Sequence, residues 1–328
     1  MKKTTTEKIR EGFSSIKVSL TEKPTENLTH LYADYVEVIS LFSNRNSVSS
    51  TDVLDRLRDE GYLLRDKNRD EDQGEDNDVK ENLIDSIFRE LQNRTYLFKN
   101  DYPFEILEGD KIILKANVEN NTRQKVYIFL LLASNLSIFG LFNHELTTEF
   151  ETISYEALKN FLPPKSIIKE MGVNTQYSGN TIDKINQLAN EINIKVDEEA
   201  IKQISKKANK EKGLDLIGWI PFDDGLPNLL LILCQCACGK EWYNKLSETG
   251  SYENYLRFYR KKPIHTLFIP YSQINYQEGG FYQSGKIIDT LLFDRKRILN
   301  HIEDSSFFDS LNSKLVVDKC IEFEEDIV

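Results

Sequence analysis

The stretch from Glu211 to Lys245 constrains this chain more than any other. Gly213 to Ile220 is apolar apart from one carboxylate, Asp215, set between Leu214 and Leu216. Asp223, Asp224, Gly225, Pro227 and Asn228 follow, and these are the residues of a hairpin turn. Leu229 to Leu233 is then an unbroken apolar run of the kind that fills a buried central strand. That strand ends in polar Gln235, with Gly239, Trp242 and Lys245 just beyond. An acid on one strand, an amide at the end of its neighbour and a lysine after it can meet at one edge of a sheet. A lone carboxylate inside an apolar strand is costly to bury without a partner, so Asp215 needs a reason to be there.

The 328 residues accommodate one large or two modest domains with a sizeable core. No apolar run approaches the roughly 20 residues that span a bilayer. The charged start, MKKTTTEKIREGF, lacks the apolar centre of a signal peptide. A cytoplasmic location without membrane contact is therefore expected. The formal net charge of −11 argues against a protein that coats nucleic acid non-specifically. The acidity is uneven: Asp52 to Asp85 holds 13 acids against 6 bases, whereas Lys240 to Lys262 holds 6 bases against 3 acids. Positive charge is thus in excess just after the candidate site. Cys234, Cys236 and Cys238 alternate, which on a strand puts their Cα atoms roughly 6.5–7 Å apart. That spacing suits disulfides poorly, and no second ligand pair for a structural zinc is evident. Buried or half-buried thiols are expected.

In chain order, residues 1–26 read as a polar leader. Residues 27–120 hold three helical segments: Leu31 to Phe42, a helix capped at Ser49-Ser50-Thr51-Asp52 and ending at Gly61, and Val79 to Asn93. Asp66 to Asp78 between them reads as a solvated loop. Two extended pieces, Pro103 to Leu107 and Lys111 to Leu114, follow as a hairpin around Glu108-Gly109-Asp110. Three helices and a hairpin suggest a winged-helix arrangement. Its acidity favours docking or dimerisation over DNA reading. Residues 121–147 read as a buried connecting helix. Thr147-Thr148-Glu149 opens a helix with Phe150, Ile153, Ala157, Leu158 and Phe161 inward and Glu151 beside that face. Thr181 to Ile194 is a further amphipathic helix, Tyr252 to Arg260 a basic aromatic helical piece suited to packing, and His265 to Ile269 a strand. Ile287 to Phe293 reads as strand or helix, and Asp294 to Ile302 as a basic helix with a structural Asp294, Arg295 and Arg297 cluster. Residues 148–305 form the second domain and 306–328 a tail. The fold class expected is mixed α/β (α+β): a central mixed sheet flanked by helices, behind a mainly helical N-terminal domain.

Hydrolysing a phosphodiester needs a divalent metal, a water close to phosphorus and a cation near the developing charge. Mg²⁺ wants hard oxygen ligands and commonly takes only one or two carboxylates. Asp215 offers one carboxylate and Glu151 a second. Gln235 offers an amide oxygen, with the backbone carbonyl of Cys236 beside it, and Lys245 a mobile point charge. Each has a plainer role open to it. Gln235 can satisfy an edge-strand hydrogen bond, Lys245 can sit on a solvated helix face, and Glu149 can replace Glu151 as the acid of the helix start.

This pattern resembles the PD-(D/E)XK nucleases, the restriction-endonuclease-like fold, over roughly Thr148 to His301. Its more specific part is similar to a bacterial subgroup found in anti-phage defence, through Phe150-Glu151, Gly213-Leu214-Asp215, Gln235-Cys236-Ala237-Cys238-Gly239, Trp242-x-x-Lys245 and Asp294-Arg295-x-Arg297. The resemblance implies that Asp215 and Gln235 hold Mg²⁺ or Mn²⁺, that Lys245 is the catalytic lysine and that Glu151 is the helix acid. The chain departs from the pattern at Ala237, where lysine is usual, so the charge must come from Lys245 or Lys240. The function expected is a metal-dependent endonuclease, with DNA as substrate, acting as effector of a bacterial defence system. The rival is a nuclease-derived binding or regulatory subunit without chemistry. Overall acidity adds a partner that loads or releases the chain, such as an ATPase, and a homodimer is a further expectation.

Overall fold

The computed structural model describes residues 3–14, 26–43, 47–59, 73–172, 174–204, 213–259 and 261–324. Helix α1 (Thr5–Ser14) starts on a reciprocal cap, with Glu7 N donating to Thr4 Oγ1 and Thr4 N donating to Glu7 Oε2. The expected polar leader is therefore helical over that range; residues 15–25 lie outside those described. Helix α2 (Thr29–Phe42) is buried on almost every side. Strand β1 (Val48–Ser49) leads into α3 (Ser50–Asp59), which Ser49 and Asp52 cap by exchanging side-chain to backbone bonds at 2.8 and 3.2 Å. The expected solvated loop, Asp66 to Asp78, lies outside the described residues up to residue 72. Helix α4 (Gln73–Phe98) begins within it and runs past the expected end. Strands β2 (Phe104–Leu107) and β3 (Lys111–Leu114) make the expected hairpin, turning at Gly109 and Asp110 with φ of 75° and 50°. With β1 they form an antiparallel sheet in the order β1-β3-β2.

Helix α5 (Thr122–Ser134) starts where the Asn121 side chain accepts from Gln124 N. It stops short of the expected end at residue 147 because Asn135 leaves the helical region and folds its amide onto the Leu131 carbonyl at 2.8 Å. Helix α6 (Asn143–Phe161) then opens at Asn143 rather than Thr147. Strand β4 (Ile167–Glu170), helix α7 (Thr181–Glu191), strand β5 (Lys195–Val196) and helix α8 (Glu198–Lys202) follow. Strands β6 (Leu216–Ile220) and β7 (Leu230–Cys236) form the anticipated hairpin, with positive φ at Asp223 and Gly225. Helix α9 (Tyr252–Tyr255) gives way at once to β8 (Leu256–Arg257), paired with β5. The segment expected as one helix to residue 260 is split because Leu256 is drawn into the core and its backbone pairs with Val196. Strands β9 (Ile264–Phe268), β10 (Ile274–Asn275), β11 (Gly280–Phe281) and β12 (Leu291–Phe293) precede helices α10 (Arg295–Asn300) and α11 (Ser313–Ile321).

The chain forms two compact units, one of Met1–Leu146, Tyr271–Gln283 and Asp304–Val328, the other of Thr147–Pro270 and Ser284–Glu303. The first is centred on Arg94 of α4, which is fully buried. Its guanidinium meets Asp34 at 2.7 Å, Glu37 at 2.8 Å and Glu90 at 3.3 Å, and donates to the His30 carbonyl at 2.9 Å. The hydroxyls of Tyr102 and Tyr127 donate to Glu37 at 2.8 and 2.9 Å. Tyr282, beside β11, donates to Glu90 at 3.0 Å and stacks on the His30 ring at 4.8 Å. Burial pushes the Glu90 carboxyl up to about 6, against the pull of Arg94. The stretch expected as a tail carries α11, with Val316, Val317 and Cys320 buried and Asp318 paired to Lys125 of α5 at 2.6 Å.

The second unit is built on a five-stranded mixed sheet in the order β12-β9-β7-β6-β4. β12, β9 and β7 run parallel, while β7, β6 and β4 pair antiparallel. One face packs Ile217, Trp219, Leu231 and Leu233 against Ile185, Leu188 and Ala189 of α7. The other lies under α6, where a Cβ at Gly218 would stand 2.8 Å from Leu162 Cδ1. No helix among the described residues is long and apolar enough to cross a membrane.

Candidate active site

Asp215 sits just before β6, where the hairpin ladder slips. Leu216 is the residue paired with Cys234, yet the Asp215 N–H also reaches the Cys234 carbonyl, at 2.9 Å. Two residues thus oppose one, the mark of a bulge, a feature that re-aims a side chain. On its other edge the Asp215 carbonyl accepts from Met171 N at 2.7 Å and Gly172 N at 3.1 Å. The carboxylate turns to the β7 side and its Oδ2 accepts the Cys236 N–H at 2.7 Å. Asp215 is therefore fixed through backbone and side chain together, by a charge-assisted bond at the strand end.

Glu151 comes to the same place from α6. A Cβ at Gly172 would collide with the Glu151 carboxylate, which therefore lies against the main chain there. The N–H of this same Gly172 is bonded to Asp215. Both carboxylates act on the thiols of Cys236 and Cys238, which burial pushes up and the two negative charges push up further. Residues widely separated in sequence, Glu151 and Asp215, thus both act on the thiols at the end of β7 and both adjoin Gly172. The thiols there stay protonated. The Cys236 group that engages Asp215 is its amide N–H.

Gln235 and Lys245 form a second group. Strand alternation puts Gln235 on the face of Leu231 and Leu233, and Cys236 on the other. The Gln235 side chain is nearly buried, and two acceptors face one end of its amide: the Gly213 carbonyl, and Glu248 Oε2 at 3.1 Å. The NH₂ therefore points there. The Lys245 ammonium, at the end of a 3₁₀ turn (Trp242–Lys245), meets Glu248 Oε1 at 2.8 Å with its side chain 46% exposed. Lys245 is joined to Gln235 through Glu248, one of the 3 acids between Lys240 and Lys262. Its signal was the Lys245-x-x-Glu248 spacing, which puts the two within reach on a helical turn. Lys240 lies on the exposed turn after Gly239.

The neighbouring features have structural work of their own. Trp242 is buried. His265 is a half-buried link: its Nδ1 lies 2.9 Å from Thr249 Oγ1 and its Nε2 2.9 Å from Glu253 Oε1. The Lys262 ammonium, 2.7 Å from Glu253, holds that carboxyl below the usual range. Asp294 caps α10 by accepting from Arg297 N, while Arg295 and Arg297 donate to the Pro270 and Leu292 carbonyls. Tyr252 lies in the core with Tyr255 and Phe258 against it, Arg257 pairs with Asp197, and Tyr259 is exposed. Arg260 lies outside the described residues.

Among the described residues, no group of three or more His, Cys, Asp or Glu side chains is arranged to hold a metal ion. Glu151 and Asp215 are two hard carboxylates near the end of β7, the donor type and number that Mg²⁺ commonly takes from a protein. Comparison with family models, with curated proteins and with solved structures finds no match for this chain.

Proposed function

We propose that the second unit is a metal-dependent phosphodiesterase of the restriction-endonuclease-like type, an endonuclease with DNA as substrate, serving as effector of a bacterial anti-phage defence system. The convergence of Glu151 and Asp215 at the end of β7 carries this reading. The order of elements supports it: an acid-bearing helix, a strand preceded by Asp215, and a neighbouring strand with Gln235 next to its last residue. Glu151 and Asp215 would hold Mg²⁺ or Mn²⁺, which when bound supplies charge stabilisation and an activated water. Lys245, half in solvent, is the cation for the phosphate. Gln235 acts as a spacer between Glu248 and the strand end rather than offering its oxygen first. Incubating duplex DNA with the chain and either metal tests the reading. Cleavage that survives Asp215→Ala and Lys245→Ala overturns it.

One observation favours the rival. The Lys245 amine and the Gln235 amide are both engaged by Glu248, and Ala237 stands where the resembled family has lysine. A regulatory subunit without chemistry would look like this. Calorimetry separates the two, since a dead scaffold shows no metal uptake that depends on Asp215. The first unit reads as a winged-helix module from its order of α2, β1, α3, α4, β2 and β3. Docking or homodimerisation is its role, because Arg94 of α4 is spent on Asp34, Glu37 and Glu90. At a net charge of −11 in the cytoplasm, loading onto DNA falls to a partner such as an ATPase.

A further inference from the structure

We infer that Glu248 is a positioning residue of this site, tying Lys245 to Gln235 and to Gly213, two residues before Asp215; the inference rests on the nuclease reading above. Three separate pieces of chain converge on this one carboxylate. Its Oε1 takes the Lys245 ammonium at 2.8 Å and its Oε2 the Gln235 amide at 3.1 Å. The third piece is Gly213, whose φ is +82° and whose missing Cβ would collide with Glu248 Cβ and stand 2.7 Å from Oε2. Glycine at 213 is therefore the condition for Glu248 to reach the strand end, two residues before Asp215 in the chain.

The turn that carries Glu248 is itself braced. Thr249, next in sequence, is buried and bonded to His265, which is held in turn by Glu253, itself paired with Lys262. A surface i,i+3 ion pair needs no such bracing and is worth little when exposed. Here one oxygen is given to a nearly buried amide and the other to the lysine that the chemistry needs. Glu248 acts on a phosphate only through Lys245.

That dependence gives the test. Single-turnover cleavage of duplex DNA with Mg²⁺ and with Mn²⁺ is measured for the full chain and for Glu248→Gln, Glu248→Ala, Glu248→Asp, Lys245→Ala and the Lys245→Ala/Glu248→Ala double variant. Each variant is also followed by thermal melting. Glu248→Gln and Glu248→Ala are expected to lose roughly 10–100-fold in rate, as supporting partners of a site commonly do, with DNA affinity little changed. Glu248→Asp, which keeps the charge, regains part of the loss. The double variant is no slower than Lys245→Ala alone, since residues acting as a unit are non-additive. Losses that multiply in the double variant overturn the role, as does a wild-type rate in Glu248→Ala or in Lys245→Ala. Should Glu248→Ala melt early, the nearly isosteric Glu248→Gln decides. A wild-type chain that cuts DNA with neither metal overturns the nuclease reading itself, and this role with it.

Discussion

The carboxylate of Asp215 accepts the main-chain N–H of Cys236 at 2.7 Å, so the residue proposed to hold the metal also closes the ladder between β6 and β7. Charge and architecture can be separated there. Asp215→Asn keeps an acceptor oxygen and loses the charge, so DNA cleavage should vanish while denaturant unfolding stays near wild type. Asp215→Ala loses both, and leaving the Cys236 N–H without its partner should cost a further ~1–3 kcal/mol in the same unfolding curves.

Thiol chemistry reports the same carboxylates without any substrate. Burial is the main cause that keeps Cys236 protonated, and Asp215 and Glu151 add to it. Removing either charge, as Asp215→Asn or Glu151→Gln, should raise the thiolate fraction. Cys236, which is partly exposed, should then be alkylated faster at about pH 8, read by mass spectrometry of the modified peptide. Unchanged labelling in both variants would place the carboxylates elsewhere.

Gly213→Ala tests the approach to the site. The new side chain must adopt φ near +82° and meets Glu248. Backbone strain of this kind costs about 1–3 kcal/mol, and displacement of Glu248 should lower cleavage as well. Chemical denaturation and the DNA digest measure the two effects separately.

Arg94 governs the first unit. Replacing it by Met removes the cation shared by Asp34, Glu37 and Glu90 and leaves buried acids without compensation. A loss of about 3–5 kcal/mol in unfolding free energy is expected.

Glu90 should make stability depend on pH in an unusual direction. Its carboxyl is raised to about 6 in the folded chain from 4.5, so the folded state binds the proton more tightly than the unfolded state. Its contribution is complete below about pH 4.5 and is lost as pH rises through 6, by roughly 2 kcal/mol. Glu90→Gln should flatten that part of the stability profile, followed by denaturant midpoints across the range.

The β6–β7 hairpin was legible because apolar runs and turn chemistry agree, Asp223 and Gly225 taking the positive φ that such turns need. The first three segments and the wing-like hairpin were legible for the same reason. Glu151 was within reach because its helix has a clean apolar face beside it. Glu248 was not, since Gly213 and Gln235 approach it only once the sheet has formed. The stop of α5 at Ser134 was masked by apolar residues on both sides of Asn135. Likewise β8 exists because Val196 and the core recruit Leu256, a tertiary effect that outweighs local preference. Arg94 reads in sequence as an ordinary surface base, because two of its three acids come from α2.

The path of the chain bears on its biosynthesis. After Pro270 the polypeptide leaves the second unit, contributes the β10–β11 hairpin to the first, returns at Ser284 and departs again at Glu303. On a ribosome, α5 therefore emerges long before α11, the helix that supplies Asp318 to its Lys125. At ~5–20 residues per second, the interval from Ser134 to Ser313 is on the order of ten seconds or more. Over that time the apolar surface of the earlier helices stays uncovered in the nascent chain, a window in which a chaperone would find its client.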